Sequence, residues 1–214
     1  MSELKYGIAV LIITLNEARH IARAIDAVQS FADEIIVLDS MSTDNTKSIV
    51  SGYPEVIFLE RAWQGYSKTK NYLHEQAKFS FILSLDADEA PDKQLQEAIL
   101  KRKLEGLKAI YSVNRLTNYC GKWIKHSGWY PDIKVRLFPN GAGKWDGAIV
   151  HEELIFDKSY SEQLLPGHLE HYSYYDFADH KARADKYSLL TAKKFHDQGK
   201  KAGPLKPILS GIAR

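Results

Sequence analysis

The sequence contains little cysteine, no long apolar run and almost no net charge. Cys120 is the only cysteine among 214 residues, so an internal disulfide is excluded and a reducing cytoplasm is the expected compartment. Apolar runs are strand-sized, far short of the roughly 20 residues that a membrane-spanning helix needs. The first residues lack the basic and apolar regions of a signal peptide. A net charge of +2 argues against a dedicated nucleic-acid binder, so we expect no nucleic-acid partner.

Glycine-rich phosphate loops are also missing. No GxxxxGKS or GxxxxGKT segment is present, and no GxGxxG follows the first predicted strand. A nucleotide bound by this chain would therefore need another partner for its phosphates. A divalent cation held by carboxylates can take that place, with Lys68 or Lys70 adding positive charge.

Strand-like and helix-like segments alternate four times in the first half of the chain. Apolar, often β-branched runs predict strands over residues 8–15, 34–38, 55–59 and 79–85. Apolar spacing and N-cap residues predict helices over residues 20–31, a short segment ending near 52, and residues 65–77 and 91–106. This order predicts an α/β protein with a largely parallel sheet covered by helices on both faces.

The second half has a different pattern, which begins near Gly106. We expect strands over residues 109–115 and 148–156, an exposed or edge strand over 133–138, an irregular loop over 117–131, and a long helix over 176–198. Residues 1–106 and 107–214 are interpreted as two halves of a single domain, because the chain length suits one hydrophobic core.

Polar and acidic side chains follow three of the predicted strands. Asn16 and Glu17 follow the first, Asp39 ends the second, and Asp86 and Asp88 follow the fourth. The carboxyl ends of parallel strands share one edge of a sheet, where ligands of open α/β sheets bind. Asp-x-Asp suits Mg²⁺ or Mn²⁺ bridging to a diphosphate. Taken alone, the same short motif also fits an acidic turn before a helix.

Four segments, taken in order, resemble the motifs of glycosyltransferase family 2. They are ITLNEARHI, VLDSMSTDNT, QGYSKTKN and LSLDADE, and the resemblance covers about residues 8–155. The nearest group is the lipopolysaccharide core β-glucosyltransferases and related bacterial enzymes. The resemblance implies a GT-A fold: a Rossmann-like, mostly parallel central sheet flanked by helices, a smaller acceptor-side sheet and a C-terminal helix. It also implies inverting, metal-dependent transfer from a nucleotide-diphosphate sugar, by default a UDP-sugar, to a glycan or glycolipid.

The resemblance assigns donor-side roles to residues that match the family motifs. The expected nucleotide-sugar contacts are Thr14, Asn16, Glu17, Asp39, Lys70 and Asp86, and the expected direct metal ligand is Asp88. Met41 stands where the commoner Asp-Gly-Ser-Thr-Asp motif has glycine, which implies a different backbone path there. Glu89 is interpreted as a helix-entry or supporting residue.

The resemblance places the catalytic base in the second half of the chain. Glu152 of the Val-His-Glu segment is the expected base, His151 is a candidate metal ligand or orienting residue, and Glu153 is the rival base. Adjacent strand residues point to opposite faces, so only one of the two acids can face the site.

Further residues match the acceptor-side segment of the same group. They are Trp129, Tyr130, Asp132 and Arg136, with aromatic faces for sugar rings and a guanidinium for a phosphate or carboxylate. His168 and His171 have a metal-like spacing, but an isolated pair of this kind is more often structural.

The sequence leaves three alternative functions open. A polyprenyl-phosphate acceptor would need membrane helices, a sugar-1-phosphate nucleotidyltransferase would need a glycine-rich first loop, and a non-catalytic nucleotide-sugar module would lack a usable base. Relatives implied by the resemblance continue past the position of Arg214. We therefore expect a missing C-terminal segment that contacts the inner face of the cytoplasmic membrane peripherally.

Overall fold

The structure, a computed structural model, describes residues 4–147, 153–157 and 159–199. This part of the chain forms eleven strands and five helices. The strands are β1 (Lys5–Thr14), β2 (Glu34–Asp39), β3 (Val56–Glu60), β4 (Phe79–Asp86), β5 (Glu89–Pro91), β6 (Ile110–Tyr119), β7 (Lys122–Trp123), β8 (Asp132–Pro139), β9 (Gly143–Trp145), β10 (Leu154–Phe156) and β11 (Glu162–Tyr174). The helices are α1 (Ile21–Asp26), α2 (Thr46–Val50), α3 (Tyr66–His74), α4 (Lys93–Glu105) and α5 (Phe177–Asp197).

Four parallel strands, in the order β3-β2-β1-β4, make the first half of the main sheet. Alternate residues of β1 enter two separate apolar layers. Ile8, Val10 and Ile12 pack in the layer that contains α1 and α4 residues, whereas Ala9, Leu11 and Ile13 pack in the layer that contains Leu73 of α3. Because both faces are covered, β1 is apolar at nearly every position. The predicted parallel α/β half is confirmed.

Strand β8 lies inside the sheet, so the prediction of an exposed or edge strand over residues 133–138 is wrong. It is antiparallel to both of its neighbours, β4 and β6. Phe138 is fully buried, whereas Ile133 near the other end is 43% exposed. Lys134 and Arg136 create the alternating pattern, but Arg136 is also buried, because it pairs with acids. One sheet therefore crosses the boundary near residue 106.

Strand β11 is the longest strand described and has no apolar run to predict it. It is parallel to β6 and antiparallel to β5, and the latter register places His171 opposite Glu89. Gly167 allows β11 to approach the start of α4, since a Cβ there would lie 2.3 Å from the Leu95 nitrogen. The predicted loop over residues 117–131 is partly wrong, because β6 extends to Tyr119 and β7 pairs with it.

A second, two-stranded sheet consists of β9 and β10. Asn71 of α3 holds it in place: its side-chain amide donates to the Trp145 carbonyl at 3.0 Å and accepts from the Trp145 N–H at 2.9 Å. The long helix expected near the end of the chain is α5. Among the helices described, none combines the length and the apolar character needed to cross a bilayer.

Candidate functional site

The carboxyl ends of β1, β2 and β4 meet at one edge of the sheet. Asp39 is the register partner of Thr14, and Asp86 is the register partner of Ile13. The alignment continues past the strand ends, because the Ala87 N–H donates to the Ile13 carbonyl at 3.1 Å. The structure thus brings together Asp39 and Asp86, as the strand-end pattern predicts, and Thr14, which the family resemblance adds.

Asn16 ties the loop after β1 to the loop after β2. Its backbone has a positive φ of 57°, its Oδ1 accepts the Thr43 N–H at 2.8 Å, and its own N–H donates to Ser42 Oγ at 2.7 Å. Ser42 in turn donates its N–H to Asp39 Oδ2 at 2.9 Å. The side chain and backbone of Asn16 therefore hold these two loops together at the edge of the sheet.

Met41, at the position where the commoner family motif has glycine, has a left-handed backbone conformation. Its φ is 67°, a left-handed value that glycine adopts readily and that a residue with a Cβ adopts at a cost. Glycine would adopt this conformation without that cost, so Met41 strains its loop. The expectation of a different backbone path stays a prediction.

Asp86 lies between two cations. Lys70 Nζ is 3.2 Å from its Oδ1, and Arg136 Nη2 is 3.8 Å from its Oδ2. Burial opposes ionisation of Asp86, but Lys70 and then Arg136 hold the pKa of this carboxyl well below its usual range. The Lys70 ammonium also lies 4.4 Å from the centre of the Trp145 ring. Much of the Asp86 charge is thus already balanced by the protein.

Asp88 contacts His171, which the sequence pattern alone favours as a structural residue. His171 Nε2 of β11 lies 3.4 Å from Asp88 Oδ2, and the Asp88 carbonyl accepts the Tyr172 N–H at 2.9 Å. Burial raises the pKa of Asp88, but the nearby His171 outweighs burial and leaves it lowered. His168 lies elsewhere, with its Nδ1 3.2 Å from Asp92. The two histidines therefore do not act as a pair, and only the strand pairing reveals His171.

Glu89 is a fully buried carboxylate with two arginine partners. Its Oε1 lies 2.5 Å from Arg136 Nη2 and 3.3 Å from Arg115 Nη1, while its Oε2 accepts the Asp86 N–H at 3.2 Å. Arg115 also reaches Asp132 Oδ2 at 2.7 Å. Glu89 therefore joins the acidic turn, residues 86–89, to the strands of the second half. It lies in β5 and does not begin a helix.

Two residues predicted on the acceptor side belong to this ion-pair network. Arg136 has a side chain that is only 6% exposed and is bound to Glu89, so it supports the acidic turn and is not free to bind an acceptor anion. Asp132 is bound by Arg115 and by Lys134 Nζ at 3.1 Å. The predicted acceptor role of Arg136 does not fit its burial.

The two predicted acceptor-side aromatics contact β11 at different points. Trp129 is 37% exposed and contacts the rings of Tyr119 and Tyr174. The hydroxyl of Tyr130 lies 3.2 Å from His168 Nε2. Trp129 therefore offers part of its face to solvent, whereas the polar end of Tyr130 is used within the protein.

Glu17 and His20 have shifted pKa values beside Asp88. Burial, and then the negative charge of Asp88, raise the pKa of Glu17 to about 7. Burial lowers the pKa of His20 to about 4; Asp88 opposes that shift, and nearby arginines reinforce it. At neutral pH the Glu17 carboxyl is therefore partly protonated and the His20 imidazole is neutral.

The predicted base Glu152 and the predicted ligand His151 lie outside the described residues. The described residues on either side of this segment are paired, because the Asp146 N–H donates to the Glu153 carbonyl at 3.0 Å. Glu153, the rival base, is exposed. Because Trp145 lies on Lys70, the β9–β10 pair that flanks the predicted base is attached to the acidic edge of the main sheet.

The donor set at the acidic turn suits a divalent cation. Asp88 offers carboxylate oxygens and His171 an imidazole nitrogen at its side, ligands that Mn²⁺ and similar ions accept. Across residues 4–147, 153–157 and 159–199, no group of three or more His, Cys, Asp or Glu side chains is arranged to hold a metal. Two protein ligands are sufficient where substrate phosphates and water complete the coordination. The residues present therefore fit a metal bound together with its substrate.

Comparisons with known proteins identify the family of the chain. The sequence model described as Glycosyl transferase family 2 matches residues 9–164. The chain is 31% identical over 209 residues to an uncharacterized glycosyltransferase of Rickettsia felis, covering 91% of this chain and 72% of that protein. It is 28% identical over 204 residues to the lipopolysaccharide core biosynthesis glycosyltransferase LpsC of Rhizobium meliloti, covering 92% of this chain and 74% of that protein.

A solved structure shares the fold. S. aureus TarS, residues 1–349 in complex with UDP-GlcNAc, superposes with a TM-score of 0.51 at 17% sequence identity. The match covers 74% of this chain and 58% of that one. The same TarS fragment in complex with UDP superposes with a TM-score of 0.52. The central sheet with its flanking helices is thus the GT-A fold.

Proposed function

The chain belongs to glycosyltransferase family 2, and we propose that it is an inverting, metal-dependent enzyme that transfers a sugar from a UDP-sugar to a cell-envelope glycan. One observation carries the proposal: three strand ends place Thr14, Asp39 and Asp86 at one edge, beside the contact between Asp88 and His171. The proposed acceptor, the lipopolysaccharide core, rests on the similarity to LpsC.

The donor nucleotide binds at the edge formed by β1, β2 and β4. Asp39 and Thr14 contact the nucleoside, together with Asn16 and Glu17 on the adjoining loop. Asp88 and His171 would hold the Mg²⁺ or Mn²⁺, and His151 remains a predicted ligand. The ion, when bound, neutralises negative charge on the diphosphate leaving group.

Lys70 and Asp86 have linked roles at the same edge. Asp86 is held ionised by Lys70 and Arg136, so it can accept a hydrogen bond from a ribose hydroxyl. Lys70 adds a positive charge at the place where the diphosphate would lie. Of the two carboxylates in the Asp-x-Asp motif, Asp88 is therefore the better direct metal ligand, since fewer protein cations compete for it.

Glu152 is the proposed general base. It would take the proton from the acceptor hydroxyl as that oxygen attacks the anomeric carbon, while the bond from this carbon to the diphosphate breaks and the configuration inverts. The attachment of β9 to α3 by Asn71, and the contact of Trp145 with Lys70, support a base placed near the donor.

Donor binding is tested by thermal shift with UDP and Mn²⁺. Ligand at one hundred times its Kd adds about 2.7 kcal/mol of stability, which corresponds to a Tm increase of roughly 5–11 °C for a chain of this size. Asp88→Asn is expected to lose the Mn²⁺-dependent part of this increase, and Glu105→Gln, an exposed control on α4, to retain it. An equal increase in Asp88→Asn, or full turnover in excess chelator, contradicts the metal role.

Turnover separates the two candidate bases. Glu152→Gln is expected to lower kcat by about 10²–10⁴-fold while donor binding stays intact, because only proton transfer is lost. Glu153→Gln serves as the matched control and should keep its rate. The opposite pattern would move the base to Glu153. Release of UDP from a UDP-sugar in the presence of a lipopolysaccharide core acceptor provides the readout.

A further inference from the structure

A pocket of about 270 Å³ opens between the start of α1 and strand β11, and none of the roles proposed above uses it. Its lining combines His20 and Arg23, the Asn118 and Gly121 positions near the β6–β7 turn, and three tyrosines at positions 172, 174 and 175. We call this cavity the tyrosine pocket. Its walls are therefore mostly aromatic, with a guanidinium and an amide among them.

The aromatic rings and arginines of the tyrosine pocket are stacked on one another. The Arg23 guanidinium lies 3.8 Å from the centre of the Tyr172 ring, and the Arg19 guanidinium lies 4.5 Å from that of Tyr175. Between the tyrosines, the His20 ring stacks on both, at centroid distances of 5.6 and 5.1 Å. Arg23 Nη1 also lies 3.1 Å from His20 Nδ1. These contacts hold two exposed guanidiniums in defined positions.

Three arginines lie around the tyrosine pocket. Arg19, Arg23 and Arg183 all act on His20, against the single carboxylate of Asp88. Within the described part of the chain, neither Arg19 nor Arg23 forms an ion pair with a carboxylate.

Three further acids lie close to the pocket. The charge of Glu17 acts on Tyr175, and Asp179 Oδ2 accepts the Tyr175 N–H at 3.4 Å. Glu170 accepts the Tyr172 hydroxyl at 2.7 Å but is not part of the lining. The neutral His20 accepts a hydrogen bond from Arg23 and adds no charge of its own. The Arg23 guanidinium therefore supplies the positive charge of the pocket lining.

The tyrosine pocket lies next to the acidic turn. His171 contacts Asp88, and the following residue, Tyr172, donates its N–H to the Asp88 carbonyl and forms a wall of the pocket. A ligand in this pocket would thus lie one residue along β11 from the proposed metal ligand. The tyrosine pocket therefore adjoins the acidic turn through the backbone of β11 and lies outside the edge formed by β1, β2 and β4.

We propose that the tyrosine pocket binds an acceptor sugar that carries a phosphate or carboxylate group. The tyrosine faces suit the apolar face of a sugar ring, and the planar guanidinium of Arg23 matches either anion with two parallel hydrogen bonds. The sequence assigns anion recognition to Arg136, but Arg136 is buried against Glu89, whereas Arg23 is exposed at a pocket wall. The inference rests on the proposed transferase function, since it identifies the class of acceptor.

The test uses saturation-transfer NMR on the whole chain with glucose 6-phosphate, glucuronate, glucose and inorganic phosphate as probes. We expect both anionic sugars to bind more tightly than glucose, and Arg23→Gln to weaken their binding by about tenfold or more while leaving glucose unchanged. Arg102→Gln, an exposed arginine on α4, is the matched control and should bind like the wild type. The two anionic sugars separate phosphate recognition from carboxylate recognition.

Several outcomes would overturn the inference. Equal binding of glucose and both anionic sugars, or unchanged binding in Arg23→Gln, removes the role of the guanidinium. Inorganic phosphate binding as tightly as glucose 6-phosphate removes the role of the sugar ring. Competition between UDP and glucose 6-phosphate would show that the two share one site. The thermal shift with UDP and Mn²⁺ should be normal in Arg23→Gln, so failure of the donor site is seen independently.

Discussion

Replacing Glu89 with glutamine should destabilise the protein far more than replacing an exposed glutamate that also has two cationic partners. Glu89 is fully buried and contacts Arg136 and Arg115. Glutamine has nearly the same shape, and its carbonyl can still accept the Asp86 N–H. The substitution therefore removes charge with little change in packing, and leaves the buried Arg136 without its nearest counter-charge.

The size of the effect follows from burial. Removing one partner of a buried ion pair typically costs about 3–5 kcal/mol, because the remaining charge has lost its compensation. For a chain of this size each kcal/mol corresponds to about 2–4 °C, so Tm should fall by roughly 6–20 °C. Glu105, in contrast, has a side chain that is 46% exposed and pairs with Arg102 and Lys101 on the helix surface. Such pairs contribute about 0–1 kcal/mol.

Urea unfolding of the wild type, Glu89→Gln and Glu105→Gln measures the difference. The free energy of unfolding in water should fall by at least about 3 kcal/mol for Glu89→Gln and by no more than about 1 kcal/mol for Glu105→Gln, with similar slopes against urea. If the two variants lose the same amount, the reasoning that Glu89 stabilises the acidic turn through buried charge is refuted.

Two further predictions concern stability. Burial, assisted by Lys70, lowers the pKa of His74 from 6.5 to about 4. Between these values the unfolded chain binds more protons, so the free energy of unfolding should fall as pH drops, by about 3.4 kcal/mol at most. His74→Gln, which can still accept the Trp145 Nε1–H, should show a flatter profile from pH 7 to 4.5 in urea unfolding, and parallel profiles would contradict this. Met41→Gly should leave Tm equal or raise it by up to a few degrees, because relief of the left-handed φ offsets the extra freedom of glycine in the unfolded chain. Met41→Ala keeps the Cβ and should show no gain in Tm. If Met41→Gly lowers the free energy of unfolding by more than about 1 kcal/mol, the conformation at Met41 is not strained.

The first half of the fold could be predicted because its signals are local. A strand buried on both faces needs an unbroken apolar run, and each such run in residues 5–86 is followed by a polar residue at the strand end. Parallel pairing then fixes which ends are neighbours. That is why the sequence predicts that Asp39 and Asp86 lie at one edge of the sheet.

The second half was less predictable because its strands owe their burial to long-range partners. β11 is rich in polar and aromatic residues and is held between β6 and β5. Hydropathy alone places Arg136 on an exposed strand, but Glu89, 47 residues away in sequence, pairs with it and allows its burial. Hydropathy reports the transfer cost of one side chain, and it contains no information about a distant counter-charge.

By itself, the sequence determined the parallel sheet, its acidic edge and the family, because these depend on hydrophobic period and on motifs in fixed order. Only the tertiary structure decided which charges pair and which remain available. It brought His171 to Asp88, buried Arg136 against Glu89, and left Arg23 exposed on the Tyr172 ring. The physical reason is that electrostatic and aromatic contacts act through space over a few ångströms, between residues that strand pairing brings together from distant parts of the chain.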